Sequence, residues 1–434
     1  MTKPTVTIFW FRRDFRLNDN HGLFQAHQEE HPVQPIFIFD SHILDDLKNK
    51  KDARVEFIHQ ELTRLQDELT KKGSSMDVRI GKPEEVWRQL LEDYDVKAVW
   101  SNKDYEPYAR NRDKEIYELL ESRGIPFKAK KDHVIFEKSE VVKKDGKPYT
   151  VYTPYSRLWK STLSESDLNS FPSEDETNWF ARPPLALPSL GAIGFEPAEI
   201  EFPSRDPNEQ IISKYDETRD TPAIRGTSRL SLHLRFGTIS IRQLARKALK
   251  SNEKYLNELI WRDFYQAILW HFPHVVNQNF NSKYDAVEWR NNEEEFERWK
   301  KGKTGYPIVD AGMRELNQTG FMHNRVRMIT ASFLTKHLLI DWRWGEAYFA
   351  EKLLDFELAS NNGGWQWAAG TGVDAQPYFR VFNPYSQTDK FDKDLKYIKK
   401  WVPEIETHLY PKPIVEHRFA RERALETYKE ALQG

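Results

Sequence analysis

Two hydrophobic patterns divide the chain. In the first third, short runs rich in β-branched and aromatic residues alternate with amphipathic segments. Such runs are typical of strands that are buried on both faces of a parallel sheet. The pattern predicts five of these strands, at residues 5–11, 35–39, 78–80, 98–100 and 126–129.

Apolar residues at three- and four-residue steps indicate helices between these strands. One stripe runs from Val55 to Leu69 and ends before Gly73, a second begins after Pro83, and a third covers residues 110–120. This alternation predicts an α/β N-terminal domain over residues 1–130, built on a doubly wound parallel sheet. No strand is followed by a GxGxxG motif, so a dinucleotide is not predicted at this sheet.

The pattern changes twice further along the chain. Residues 131–207 are rich in proline and charge, which predicts a long interdomain connection, anchored by aromatic residues such as Tyr152 and Trp159. From Asn208 onwards the strand signal is absent and helical spacing continues, as in Leu256, Leu259 and Phe264. Residues 208–434 are therefore predicted to form an all-α C-terminal domain.

The composition excludes several kinds of chemical site. The 434 residues include no cysteine, which excludes disulfides, thiolate metal sites, iron–sulfur clusters and cysteine nucleophiles. No apolar run is long enough to cross a membrane and the N-terminus has no signal-peptide pattern, so a cytoplasmic protein without membrane contact is expected. The net charge of −2 means that any nucleic acid must bind a local basic face. Nine of the 14 tryptophans lie between Trp261 and Trp401, a clustering that points to function.

Several segments of the helical half combine polar, aromatic and glycine residues. Thr227 and Ser228 precede a predicted helix, where they suit either a bound phosphate or a simple N-cap. The run from Asn361 to Trp367 contains two amides and two glycines, which we interpret as a break in a helix that lets the backbone approach a flat ligand.

Two residue pairs add candidate chemistry. Arg327 and Asp355 can form a bidentate pair, either as a structural salt bridge or beside a flavin ring. Glu258 lies three residues before Trp261, so an acid and an indole share one helical face. That pair suits a base turned out of a duplex, although a surface glutamate beside a core tryptophan is the commoner arrangement.

Together these segments resemble the photolyase/cryptochrome family, and in particular its microbial members that repair cyclobutane pyrimidine dimers. The resemblance runs from Trp10–Asp19 to Pro413–His417 and is densest from Glu258 to Asp389. It implies light-driven repair, in which photoexcited reduced FAD gives an electron to a dimer flipped out of DNA, without metal or nucleophile. It also implies a monomer that acts on ultraviolet-damaged DNA.

The resemblance assigns roles position by position. The FAD-binding positions would be Tyr215, Thr227, Ser228, Arg229, Leu230, Ser231, Tyr255, Asn324, Arg327, Asp355, Phe356, Glu357 and Asn361, with Asn361 facing the flavin N5. The positions for the lesion and its DNA would be Arg219, Glu258, Trp261, Arg262, Tyr265, Asn324, Arg325, Met328, Trp367 and Gln387. Trp365, Trp342 and Trp289 would pass electrons from the surface to the flavin, while Glu258 and Asn361 would act in catalysis.

Departures from the family pattern limit what it implies. Glu357 stands where aspartate is more usual, and Phe321 replaces a tryptophan. Tyr108 and Ala109 occupy the asparagine and glutamate positions of members with a folate antenna. A second chromophore, if present, is therefore expected to be a deazaflavin or FMN rather than methenyltetrahydrofolate, and its candidate contacts are Arg54, Asp104 and Glu106.

Two alternatives to dimer repair remain. One is repair of the pyrimidine–pyrimidone (6-4) photoproduct, whose enzymes tend to place histidines in the pocket, where this chain offers only His323. The other is a cryptochrome that senses blue light without repairing DNA, against which Asn361 argues as the residue typical of repair enzymes. Trp261 with Met328 favours dimer repair.

Overall fold

The fold begins with an open parallel sheet. A computed structural model of the chain describes residues 3–433. Five parallel strands lie in the order β3-β2-β1-β4-β5. Their bounds are β1 Thr5–Phe11, β2 Val33–Asp40, β3 Asp77–Gly81, β4 Asp95–Asn102 and β5 Phe127–Lys130. Most of these strands are longer than predicted. In β2, for example, the polar residues Gln34 and Asp40 extend the strand and remain buried.

Helices form the remainder of the regular structure. They are α1 His21–His27, α2 Ser41–Leu44, α3 Ala53–Lys71, α4 Pro83–Asp93, α5 Pro107–Glu121, α6 Tyr152–Thr162, α7 Leu190–Ile193, α8 Glu209–Ser213, α9 Tyr215–Thr218, α10 Ser231–Arg235, α11 Ile241–Ser251, α12 Glu253–His271, α13 Glu293–Lys300, α14 Pro307–Thr319, α15 Asn324–Ser332, α16 Trp342–Lys352, α17 Leu358–Ala369, α18 Pro384–Phe391, α19 Lys396–Trp401 and α20 His417–Gln433. None in the described part of the chain is long and apolar enough to cross a membrane.

The chain packs into two compact units. The first contains the sheet and comprises residues 1–137, 163–206 and 230–247; the second comprises residues 138–162, 207–229 and 248–434. In the described residues of the second unit, the only β-type pairing is an isolated bridge between Val142 and Pro148. The predicted fold class, a doubly wound parallel sheet followed by a helical domain, is confirmed.

A buried ion network lies within the first unit. Arg242 Nη2 donates to Asp19 Oδ1 at 2.8 Å and to Asp132 Oδ1 at 2.7 Å, and Arg16 Nη2 donates to Asp132 Oδ2 at 2.6 Å. Burial alone would raise the pKa of Asp132, but the two guanidinium groups hold it well below its usual range. These contacts tie residues 230–247 to the loops that follow β1 and β5.

Helix α12 is the longest helix of the second unit. Asn252 caps it by accepting a hydrogen bond from the Tyr255 N–H at 3.1 Å. Leu256, Ile260 and Phe264 recur on its buried side, as their spacing predicts. The opposite side carries partly exposed polar and aromatic residues, which places them at the surface of the unit.

Candidate functional site

Helix α12 presents three of the predicted site residues from one side. Glu258, Trp261 and Tyr265 follow each other at three- and four-residue steps and all remain partly exposed. The Trp261 indole is stacked on the Tyr152 ring with 3.7 Å between ring centroids and 3° between planes. Tyr152 Oη donates to the Asn257 carbonyl at 2.9 Å, so the stack is fixed at both ends.

Glu258 is paired with a cation in the structure. Arg219 Nη1 donates to Glu258 Oε1 at 2.6 Å, and the two side chains keep 29% and 32% of their exposure. Burial of the carboxyl group raises the pKa of Glu258, while Arg219 opposes that shift, and the net direction is upwards. An acid with a raised pKa can serve as a hydrogen-bond donor as well as an acceptor.

Residues around α9 form a polar and aromatic cluster. The rings of Tyr215 and Tyr255 meet edge to face at 5.1 Å, and the hydroxyl groups of Ser228 and Tyr255 are 2.9 Å apart. Arg229 adopts the left-handed conformation, with φ 55°, and its guanidinium lies 4.4 Å from the centroid of the Phe321 ring. This exposed cation makes no ion pair with any residue that the structure describes.

A second cluster joins α15 to the start of α17. The predicted pair of Arg327 and Asp355 is present, with Arg327 Nη2 at 2.9 and 3.1 Å from the two Asp355 carboxylate oxygens. Arg327 Nε donates instead to the Met322 carbonyl at 2.8 Å, so the contact uses one nitrogen rather than two. Arg262 Nη2 donates to Glu357 Oε1 at 3.0 Å, and both side chains are nearly buried. Phe356 packs against the hydrophobic core.

The predicted break in a helix at Asn361–Trp367 is wrong. Helix α17 is continuous from Leu358 to Ala369 and includes both glycines. Gly363 serves close packing, because a Cβ there would lie 2.2 Å from the Tyr265 ring. Asn361 Nδ2 donates to Glu346 Oε1 at 2.8 Å and to the Glu346 carbonyl at 3.1 Å. Burial raises the pKa of Glu346.

The three predicted relay tryptophans belong to one hydrophobic core. Trp342 and Trp365 are fully buried in it, and the half-buried Trp289 packs against it. Trp342 Nε1 donates to Asn279 Oδ1 at 2.8 Å. Trp299, which the sequence did not single out, meets Trp365 at 6.1 Å.

Comparisons with known proteins decide the family. Residues 7–174 match the family described as "DNA photolyase", and residues 255–408 match "FAD binding domain of DNA photolyase". A deoxyribodipyrimidine photo-lyase from Halobacterium salinarum is 37% identical, covering 98% of this chain and 99% of the relative. The chain belongs to the DNA photolyase family.

Solved structures agree with this membership. A class III photolyase from Agrobacterium tumefaciens is 34% identical with a TM-score of 0.87, over 100% of this chain and 99% of the other. An archaeal photolyase from Sulfolobus tokodaii, solved with two FAD molecules, is 36% identical with a TM-score of 0.82, over 98% and 100%. A Synechocystis cryptochrome, at 24% identity and a TM-score of 0.84 over 98% and 100%, shares the fold.

The side chains of this photolyase family member fit FAD. The flavin ring has an edge of N–H and C=O groups, and Asn361 with the Arg327–Asp355 pair supplies an amide, a guanidinium and a carboxylate. The diphosphate needs hydroxyl groups and a cation without a carboxylate partner, which Thr227, Ser228 and Arg229 offer. Leu230 and Ser231 lie in the first unit, at the start of α10.

The remaining lesion-site candidates of the photolyase family pattern are more dispersed. Asn324 begins α15 and is exposed, and the Met328 sulfur lies 3.6 Å from Arg325 Nη1. Arg325 Nη2 donates to Asp220 Oδ1 at 2.7 Å. Trp367 on α17 and Gln387 on α18 are half-buried, in positions that leave their side chains reachable.

The sequence missed three partners of these site residues. Tyr152 was taken only as an anchor in the connection, while Asp220 and Glu346 carried no motif. Each meets its partner across many positions of the chain, so no local spacing could have found it.

The antenna candidates of the first unit divide into two sets. Asp104 and Glu106 both contact Arg13 Nη1, at 3.4 and 3.0 Å, and Arg235 also contacts Glu106 at 3.1 Å. Burial alone would raise the pKa of Asp104, but Arg13 and Arg235 hold it well below its usual range. Arg54 instead pairs with Asp52, which caps α3.

Proposed function

We propose that this protein uses light to split cyclobutane pyrimidine dimers in DNA. One observation carries the proposal: Glu258 and Trp261 project side by side from α12, each held by its own partner and each still partly exposed. An indole and a carboxyl group so placed can stack on a flipped base and hydrogen-bond its carbonyl edge. The names of the relatives support the same reaction.

The chain's part in the reaction is placement and electrostatics. Bound FAD, when reduced, supplies a light-driven electron. Glu258 would donate a hydrogen bond to the dimer carbonyl, where negative charge develops once the electron arrives. Trp261 would stack on the dimer through one face of its indole, while Tyr152 covers the other face of the indole. Arg262 and Tyr265 would support the stacked pair of Trp261 and Tyr152 from the same helix, α12.

The assignment of the flavin contacts rests on the two clusters beside α12. Tyr215, Tyr255 and the residues from Thr227 to Arg229 would hold the diphosphate side. Asn324, Arg327, Asp355 and Asn361 would hold the ring side, with Phe356 and Glu357 behind them. The buried tryptophans Trp365 and Trp342, followed by Trp289, would carry electrons from the surface of the protein.

Damaged DNA would contact cations around this site. Arg219 and Arg325 would reach the phosphates, while Asn324, Met328, Trp367 and Gln387 would line the path of the lesion. A deazaflavin or FMN is proposed as the second chromophore of the first unit, near Asp104 and Glu106. The domain limits at residues 130 and 207, the monomeric state and the cytoplasmic location stay predictions.

The test is repair of ultraviolet-irradiated oligothymidine. The protein is reduced without oxygen and exposed to blue light or kept dark, while the recovery of thymine absorbance is followed. We expect light-dependent recovery in the parent protein and its loss in Glu258→Ala and Trp261→Ala, with bound flavin confirmed by absorbance in each. No recovery by flavin-loaded, reduced parent protein would overturn the proposal, and recovery only on a duplex with a pyrimidine–pyrimidone lesion would replace it.

A further inference from the structure

Both arginines proposed to bind DNA phosphates already hold a carboxylate. Arg219 contacts Glu258 at 2.6 Å, and Arg325 contacts Asp220 Oδ1 through Nη2 at 2.7 Å and Nε at 3.1 Å. A phosphate can bind either guanidinium fully only by competing with that carboxylate. DNA binding at this surface is therefore an exchange of ion pairs.

The two carboxylates lie in different surroundings. The Asp220 side chain keeps 46% of its exposure, so water can solvate its charge once Arg325 leaves. Glu258 lies on α12 among phenol rings, and burial is the largest influence on its pKa. Release of the cation has a different consequence for each acid.

Few other charges face Glu258. Among the residues that the structure describes, the neighbouring charged groups are Arg219 and Asp220 beyond α9 and Lys254 on α12, and of these Arg219 alone makes a hydrogen bond to the carboxylate. The facing phenols are Tyr152, Tyr215, Tyr255 and Tyr265, and burial raises the pKa of each, that of Tyr255 to about 12. These phenols stay protonated at neutral pH, so Arg219 is the main group that opposes the upward shift in the pKa of Glu258.

We propose that damaged DNA draws Arg219 from Glu258 onto a backbone phosphate, and that the freed carboxyl group takes up a proton from solvent as the lesion moves in. The inference rests on the proposed function, since it requires a lesion beside α12. Two effects act together: the positive partner leaves, and the flipped base displaces water from a side chain that keeps 32% of its exposure. The neutral acid can then donate its proton in a hydrogen bond to the lesion.

Proton uptake can be counted by calorimetry. Binding of a duplex with one thymine dimer is measured in the dark in several buffers that differ in ionisation enthalpy. We expect the parent protein to take up close to one proton per bound duplex near neutral pH, and its affinity to fall as pH rises. Glu258→Gln should bind without that uptake and without that pH dependence.

Two arginine variants provide the matched comparison. In Arg219→Gln the cation that opposes the upward shift in the pKa of Glu258 is absent before DNA arrives, so the proton uptake should be smaller than in the parent. In Arg325→Gln affinity should fall while the uptake is kept, because Arg325 is paired with the exposed Asp220 and not with Glu258. Infrared spectra of the complex should show a protonated carboxyl band that Glu258→Gln lacks.

The outcomes separate this inference from the proposed function. Lesion binding and repair with equal proton uptake in the parent and Glu258→Gln would overturn the inference alone. His323, whose pKa burial lowers to about 4, would then be a candidate for the group that takes up the proton. Equal uptake in the parent and Arg219→Gln would overturn the exchange. A flavin-loaded protein that neither binds nor repairs the dimer would overturn the proposed function itself.

Discussion

At the residue scale, pairwise contacts decide what each candidate can do. The sequence predicted that Arg327 would meet Asp355 and that Glu258 and Trp261 would share a helix face, and both arrangements are present. It did not predict that Arg219 binds Glu258 or that Tyr152 stacks on Trp261. Helical spacing relates residues within one turn, whereas these partners are separated by many residues and meet only through tertiary packing.

Tyr152 offers a test of how the Trp261 indole is held in place for the lesion. Tyr152→Leu removes the ring that covers Trp261, so the indole gains freedom and should bind the flipped dimer less well. Stacking on aromatic side chains is worth about 1–3 kcal/mol per base, and we expect a loss of affinity of roughly tenfold, towards the lower part of that range. Binding of a dimer-containing duplex, measured by fluorescence anisotropy, checks this.

Tyr152→Phe is the matched control. It keeps the stacked ring and loses only the hydrogen bond to the Asn257 carbonyl. Affinity near that of the parent is expected, and the yield of repair per bound duplex should be similar in all three proteins. Equal loss of affinity in both variants would show that the hydroxyl group, rather than the stack, positions Trp261.

At the element scale, helix α17 shows where sequence pattern misleads. Two glycines and two amides suggested a break, yet the helix is continuous from Leu358 to Ala369. Gly363 lies against Tyr265 of α12, whereas a Cβ at Gly364 would meet nothing within 4 Å. The presence of a glycine in the sequence cannot distinguish a helix break from the close approach of a neighbouring side chain, since both need a residue without a side chain.

These adjacent glycines predict opposite effects of the same substitution. Gly363→Ala forces a methyl group into the Tyr265 ring and should lower the free energy of unfolding by about 1–3 kcal/mol. Gly364→Ala fills open space within a helix and should raise it by about 0.5–1 kcal/mol. Chemical denaturation of both variants, followed by circular dichroism, measures the difference. A loss of stability in Gly364→Ala would show that a side chain at this position meets a close neighbour.

At the scale of the whole molecule, long-range ion pairs determine which segments belong together. Hydrophobic periodicity predicted the sheet, its helices and the helical second half. It could not predict that residues 230–247 join the sheet-containing unit through Arg242, because periodicity records only local geometry. The buried carboxylates Asp19 and Asp132 make that connection specific.

Removal of Arg242 should therefore destabilise the first unit. Arg242→Met leaves two buried carboxylates short of a partner, and breaking such a pair costs about 3–5 kcal/mol. Because the pKa of Asp132 is depressed in the folded state, its stabilisation is present above the unfolded pKa of about 3.9 and is lost as pH falls below it. The variant should unfold at higher pH in an acid titration followed by tryptophan fluorescence.

Lys114→Gln is the control from the same unit. Lys114 and Glu118 form an exposed pair at 3.7 Å, which should contribute little to stability. Its acid unfolding midpoint should match that of the parent. Equal midpoints for the parent and Arg242→Met would show that the network is not needed.

The same network affects how the protein is made. Arg242 is synthesised 110 residues after Asp132, so the sheet leaves the ribosome before its last ion partner exists. At about 5–20 residues per second, this interval lasts roughly 5–20 seconds. During that time the Asp19 carboxylate lacks its contacts with Arg242, and the buried ion network is incomplete. Chaperones that shelter unfinished sheets should therefore matter for the yield of this protein, more than its stability after synthesis would suggest.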